Sequence, residues 1–133
     1  MRALTIAFAV PLVVRAGAFG QTLRTVRDGV YSEEQAKRGK TVYDTKCGSC
    51  HDGSGMGPQL KDEAFFAEWE NKSVRAFYGR ILSTMPDDDP GSLKENEVLD
   101  VVAYLLQAHG FPAGARALES ASELDTVKFI PGK

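Results

Sequence analysis

The apolar positions of this 133-residue chain recur at helical spacing. Ser32 reads as a helix N-cap, with Gln35 three residues on completing a capping box. Glu33 and Glu34 place negative charge in the first turn, where the helix dipole favours it. This helix is expected to run to about Thr45, with Gly39 and Tyr43 on one face. A glycine inside a helix costs roughly 1 kcal/mol relative to alanine, so Gly39 predicts close approach by another helix. A short helical piece is expected over residues 62–69. A capped helix then starts at Ser73, with Val74, Phe77, Tyr78, Ile81 and Leu82 as one stripe. Met85 falls on the same stripe, and Pro86 ends the helix behind it.

Asp87, Asp88, Asp89, Pro90 and Gly91 read as a solvated turn, without the spaced ligand set of a calcium site. Ser92 and Glu95 form a second capping box ahead of the strongest pattern in the chain. That pattern is Val98, Val101, Val102 and Leu105, flanked by Leu99 and Leu106 and closed by Gly110 and Pro112. Residues 19–31 show no period and are expected to form a loose lead-in. Residues 52–61, with Gly53, Gly55, Gly57 and Pro58, read as an irregular loop. The tail, residues 113–133, is ambiguous, with at most one helical turn around residues 118–124. No segment reads as a strand, so the expected fold class is all-α.

Charge changes the picture little: 16 basic residues face 18 acidic ones, a net charge of −2. There is no basic tract for nucleic acid. The N-terminus adds more. Met1 and Arg2 precede an uncharged apolar run over residues 3–14, and Ala16, Gly17 and Ala18 offer a small-residue cleavage site. Residues 1–18 are therefore expected to be a signal peptide, with cleavage as late as Gly20. The run is shorter than the about 20 apolar residues a membrane span needs, so no stable anchor is expected after cleavage. The mature chain is expected to be periplasmic or otherwise exported. What remains suits one small domain over residues 32–112.

The chemistry concentrates at Cys47, Gly48, Ser49, Cys50 and His51, which form a covalent attachment signal for a c-type haem. Two thiols at this spacing reach the two vinyl groups of one porphyrin, and the next residue places an imidazole under the iron. The chain has 2 cysteines, so an iron–sulfur cluster is excluded on count, and a zinc site lacks ligands. A thioredoxin-like pair would need a βαβ setting that the flanking sequence does not offer. A disulfide would leave His51 without a role. One covalent haem c per chain is the expectation.

The sixth iron position has three candidates, Met56, Met85 and His109. Five residues separate Met56 from His51, and extended they span at most about 18 Å, nearly all of it used in rounding the porphyrin edge. His109 ends the last helix, where a cation is ordinarily favourable. Met85 has the reach and faces the core, but on position alone it is equally well a core-filling methionine.

At this point the chain resembles the class I, single-haem c-type cytochrome family, in its small bacterial form. The matching residues are the Cys47–His51 motif, Gly57-Pro58-Gln59-Leu60, Thr84-Met85-Pro86, and Asp100 through Leu105, in that order. The resemblance implies a cytochrome c-like fold of three to four helices wrapped around the haem. It implies His51 and Met85 as axial ligands, with the Pro58 carbonyl accepting a hydrogen bond from His51. It further implies Leu60 packed on the ring, Trp69 near the haem carboxylates, and Gly39 and Tyr43 meeting Val101 and Tyr104 where the first and last helices cross. Asp52 stands where many relatives carry glycine.

The expected function is one-electron transfer outside the cytoplasm, not catalysis. The expected partners are redox proteins, with a quinoprotein dehydrogenase or cytochrome complex as donor and a terminal oxidase as acceptor. A haem enzyme or gas sensor with a displaceable sixth ligand is the alternative, and the chain offers no distal His/Arg pair for it. A third reading is a cytochrome subunit of a larger dehydrogenase or oxidase complex, which the apolar Val127, Phe129 and Ile130 would suit.

Overall fold

The computed structural model describes residues 23–53 and 56–130. The expected leader at residues 1–18 lies outside them, as do residues 19–22, 54–55 and 131–133. Five α-helices carry the fold: α1 (Glu33–Lys46), α2 (Gly48–His51), α3 (Glu63–Ala67), α4 (Val74–Thr84) and α5 (Glu95–Ala108). No helix among the described residues is long and apolar enough to cross a membrane.

Local chemistry sets the helix ends. The Ser32 hydroxyl accepts from the Gln35 N–H at 3.2 Å and opens α1. The Gln35 side chain does not complete the expected capping box. It is buried, and its amide serves both backbone groups of Leu118, at 3.0 Å to the carbonyl and 2.8 Å from the N–H. An unpaired buried amide costs about 1–3 kcal/mol, so this demand outweighs an exposed bond to the helix start. Asp62 caps α3 by accepting from Phe65 N–H at 2.7 Å, and Ser73 caps α4 by accepting from Ala76 N–H at 3.2 Å. Helix α5 starts later than the expected box at Ser92. Its N-cap is Lys94, whose N–H donates to the Glu97 carboxylate at 2.9 Å, while buried Leu93 occupies the chain ahead of it.

The first and last long helices cross at Gly39. A Cβ there would fall inside the Asp100 carbonyl and lie 3.0 Å from Tyr104 Cβ. The nearest atoms are therefore those of Asp100 and of Tyr104, the latter expected at this crossing. Beside the crossing the Tyr43 and Tyr104 rings lie 5.1 Å apart. Arg38 grips the Asp100 carboxylate with two nitrogens, Nε at 2.9 Å and Nη2 at 3.0 Å. That bond holds the Arg38 guanidinium protonated even above its ordinary range.

The two ends of the described chain are packed, contrary to the loose lead-in expected. β1 (Arg24–Thr25) and β2 (Val127–Lys128) pair in parallel, Arg24 against Val127. The Tyr31 hydroxyl donates to the Phe111 carbonyl at 2.6 Å, and Gly114 N–H donates to the Tyr31 carbonyl at 2.7 Å. A 3₁₀ helix over Ala121–Thr126 precedes β2. Val26, Val30, Tyr31, Leu118, Leu124, Val127 and Phe129 join the same core as α4 and α5. These residues enter the core singly from irregular backbone, so they leave no period in the sequence.

Candidate functional site

Helix α1 hands the chain directly to the cysteine motif. Cys47 N–H donates to the Tyr43 carbonyl at 2.8 Å, and the Cys47 carbonyl accepts from Cys50 N–H at 3.1 Å and His51 N–H at 3.0 Å. One helical turn thus places residues i, i+3 and i+4 on a common face. Neither cysteine is drawn into a disulfide, and both are half-buried. Burial pushes the Cys47 thiol up to about 11. A dithiol redox site is marked by a depressed thiol pKa, so the environment of Cys47 is the reverse of what that chemistry needs.

His51 is buried, and its Nδ1 lies 2.8 Å from the Pro58 carbonyl. A carbonyl only accepts, so the proton sits on Nδ1 and the Nε2 lone pair is left for a metal. The ring rests against the backbone of Gly57, where a Cβ would come within 2.8 Å of Cε1 and 2.9 Å of Nδ1. The turn after the histidine is taken at Gly53, with φ of 93°. Asp52 keeps an ordinary φ of −104°, which a residue bearing a side chain adopts without strain.

That side chain has a place of its own. Asp52 Oδ1 accepts from the Tyr43 hydroxyl at 2.9 Å and lies 2.6 Å from Lys61 Nζ. The Lys61 ammonium, foremost, holds the Asp52 carboxyl below the usual carboxylate range, and the carboxylate raises Lys61 in return. Burial, followed by the Asp52 bond, raises the Tyr43 phenol. The sequence reading missed this trio, and the one available signal was the unusual aspartate itself.

The other expected site residues are spread around the core. Leu60 packs half-buried on it, and its carbonyl accepts from His109 Nε2 at 2.9 Å. His109 also packs at a tilt against Phe66, ring centroids 4.5 Å apart, and its bond to Leu60 ties the loop to the end of α5. Met85 is the C-cap of α4 and packs half-buried against the core, whereas Met56 is 75% exposed. Trp69 sits in an aromatic cluster, 4.8 Å from Phe77 and 6.4 Å from Phe65 and Phe129.

Trp69 Nε1 and the Tyr78 hydroxyl are buried without a hydrogen-bond partner among the described residues. Each such orphan costs about 1–3 kcal/mol. A bound group bearing acceptors, as a haem does in its two carboxylates, is the kind of partner such donors lack. Two half-buried thiols outside any disulfide and an imidazole presenting Nε2 complete a donor set that fits a c-type haem.

No curated protein matches the chain, and no solved structure does. A family model matches residues 34–105, from the start of α1 through most of α5. The chain belongs to the family described as cytochrome c oxidase, cbb3-type, subunit III, and is an all-α c-type cytochrome, with covalently bound haem c and electron transfer as its business.

Proposed function

We propose that this chain is an exported one-electron carrier with a single haem, joined by thioethers to Cys47 and Cys50 and ligated by His51 and Met85. The haem supplies an Fe(III)/Fe(II) couple. The observation that carries the reading is the 2.8 Å bond from His51 Nδ1 to the Pro58 carbonyl, which would leave the Nε2 lone pair available to an iron. Thioethers from Cys47 and Cys50, on the same turn, would fix a haem relative to that imidazole.

Met85 is favoured as the second ligand by its half-buried place at the end of α4, with its N–H bonded to the Ile81 carbonyl at 3.0 Å. The 75% exposure of Met56 argues against that residue. With His51 and Met85 both serving as ligands, electron exchange would need no bond change at the metal. A thioether ligand also raises the potential relative to two nitrogen ligands. Export is supported by the apolar run at residues 3–14 and the Ala16-Gly17-Ala18 site. Weak, transient docking to redox proteins fits such a carrier. A quinoprotein dehydrogenase or cytochrome complex is the proposed donor, and a terminal oxidase the acceptor. The family's description favours a second reading, a cytochrome subunit of an oxidase complex. Copurification with membrane-bound oxidase activity would distinguish the subunit from the free carrier.

The test combines extraction with spectroscopy. Acid–acetone treatment should leave the colour on the polypeptide. The ferric protein should be low-spin, with the weak methionine–iron charge-transfer band. Met85→Ala should abolish that band and admit carbon monoxide to the reduced protein, while Met56→Ala should leave both unchanged. The reverse pattern overturns the ligand assignment. A wild-type protein that binds carbon monoxide at once overturns the carrier in favour of an enzyme or sensor.

A further inference from the structure

The loop over residues 52–61 leaves the proximal histidine and comes back to α1. Its two ends meet in one network on Tyr43. Asp52 Oδ1 takes the Tyr43 hydroxyl at 2.9 Å and lies 2.6 Å from Lys61 Nζ, and that ammonium sits 4.9 Å from the centroid of the Tyr43 ring. Within the loop so closed lie the two residues that touch the imidazole, Gly57 under the ring and Pro58 with its carbonyl on Nδ1. Glycine has no side chain to anchor and proline no N–H to bond, so this pair does not fix its own position. The meeting of its ends on Tyr43 therefore bears on where this pair sits, and His109 adds a tie to the Leu60 carbonyl.

We propose that the Asp52–Lys61 pair, seated on Tyr43, is a positioning clasp that holds the Pro58 carbonyl against His51 and thereby sets the reduction potential of the haem iron. The proposal rests on the reading of His51 as the iron ligand. A firm Nδ1–H···O bond makes the imidazole a stronger donor, which favours the ferric state. A clasp that opens lets this bond lengthen, and the potential rises. A half-exposed ion pair contributes little to stability, so its consequence is sought in geometry instead of in the unfolding free energy.

The sign of the potential shift separates this clasp from the bare field of its charges. Acting only as charges, loss of the Asp52 anion would raise the potential and loss of the Lys61 cation would lower it. Acting as a clasp, both losses raise it. Asp52→Asn and Lys61→Met are therefore compared with wild type by redox titration, together with exchange of the His51 ring N–H followed by NMR. Both variants should raise the potential and speed that exchange, and Lys61→Arg should restore wild-type values.

Shifts of opposite sign, or no change in potential and exchange, overturn the clasp. Should Asp52→Asn fail to assemble, Lys61→Met decides alone, because the two accounts give it opposite signs. A wild-type spectrum without histidine-ligated haem overturns the ligand reading as well, and that failure shows before any variant is made.

Discussion

Tyr31, Tyr43 and Tyr78 are all buried, and their hydroxyls meet three different fates. Tyr31 donates to the Phe111 carbonyl at 2.6 Å, Tyr43 donates to Asp52 at 2.9 Å, and Tyr78 finds no partner among the described residues. Burial is the leading cause that raises all three phenols above the ordinary value of 10.0. The unfolded chain therefore loses these protons at lower pH than the native one. Stability from this source is fully present below pH about 10 and falls as pH rises beyond it. We expect an alkaline limb in the denaturation midpoint that coincides with phenolate absorbance. Tyr31→Phe should make that limb shallower, and an unchanged slope would show that Tyr31 titrates normally.

At this scale legibility divides by how far a role depends on neighbours. The Cys47, Cys50 and His51 motif is legible because its spacing is itself what the attachment chemistry requires. The partners of Asp52 and Gln35 were not, since Lys61 and Leu118 become neighbours only after the loop and the tail have folded back.

Among elements, the crossing of α1 on α5 is the tightest join described. Gly39 lies directly against the Asp100 carbonyl, and the same residue's carboxylate is held by Arg38. Backbone cannot yield to a new methyl group as a flexible side-chain tip can. Gly39→Ala should therefore destabilise by about 1–3 kcal/mol through overpacking, despite the better helix propensity of alanine. An unchanged midpoint in chemical denaturation would mean that the helices separate without cost. The three longer helices were legible because each buries one face, which imposes its period on the sequence. The start of α5 was not, because Glu95 and Glu97 both offer an acid at capping distance from a preceding residue. Bonding to Lys94 N–H selects Glu97.

The molecule as a whole closes on residues that carry no such period. Phe129, from the tail, lies 5.0 Å from Phe66, 5.8 Å from Phe77 and 6.4 Å from Trp69, ring centroid to centroid. Its backbone bonds Asn71 and Lys72, both at 3.0 Å, just ahead of α4. Nearby, β2 pairs with β1, and Leu118 is held by Gln35. A helical core bounded at residues 32–112 would dispense with all of this.

Each buried apolar side chain is worth roughly 1.5–3 kcal/mol, and the tail buries Leu118, Leu124, Val127 and Phe129. Their sum is comparable to the whole stability of a small domain, about 5–15 kcal/mol. A chain ending at Pro112 should therefore lose its cooperative transition or unfold far earlier, with Trp69 fluorescence shifted toward that of a water-exposed indole. Phe129→Ala is the graded form of the same experiment and should cost about 3–5 kcal/mol while leaving a foldable protein. Should both variants hold the wild-type midpoint, the helices around the haem would be self-sufficient and the tail an appendage. The expected loss would instead make the tail part of the wall that encloses the aromatic cluster around Trp69.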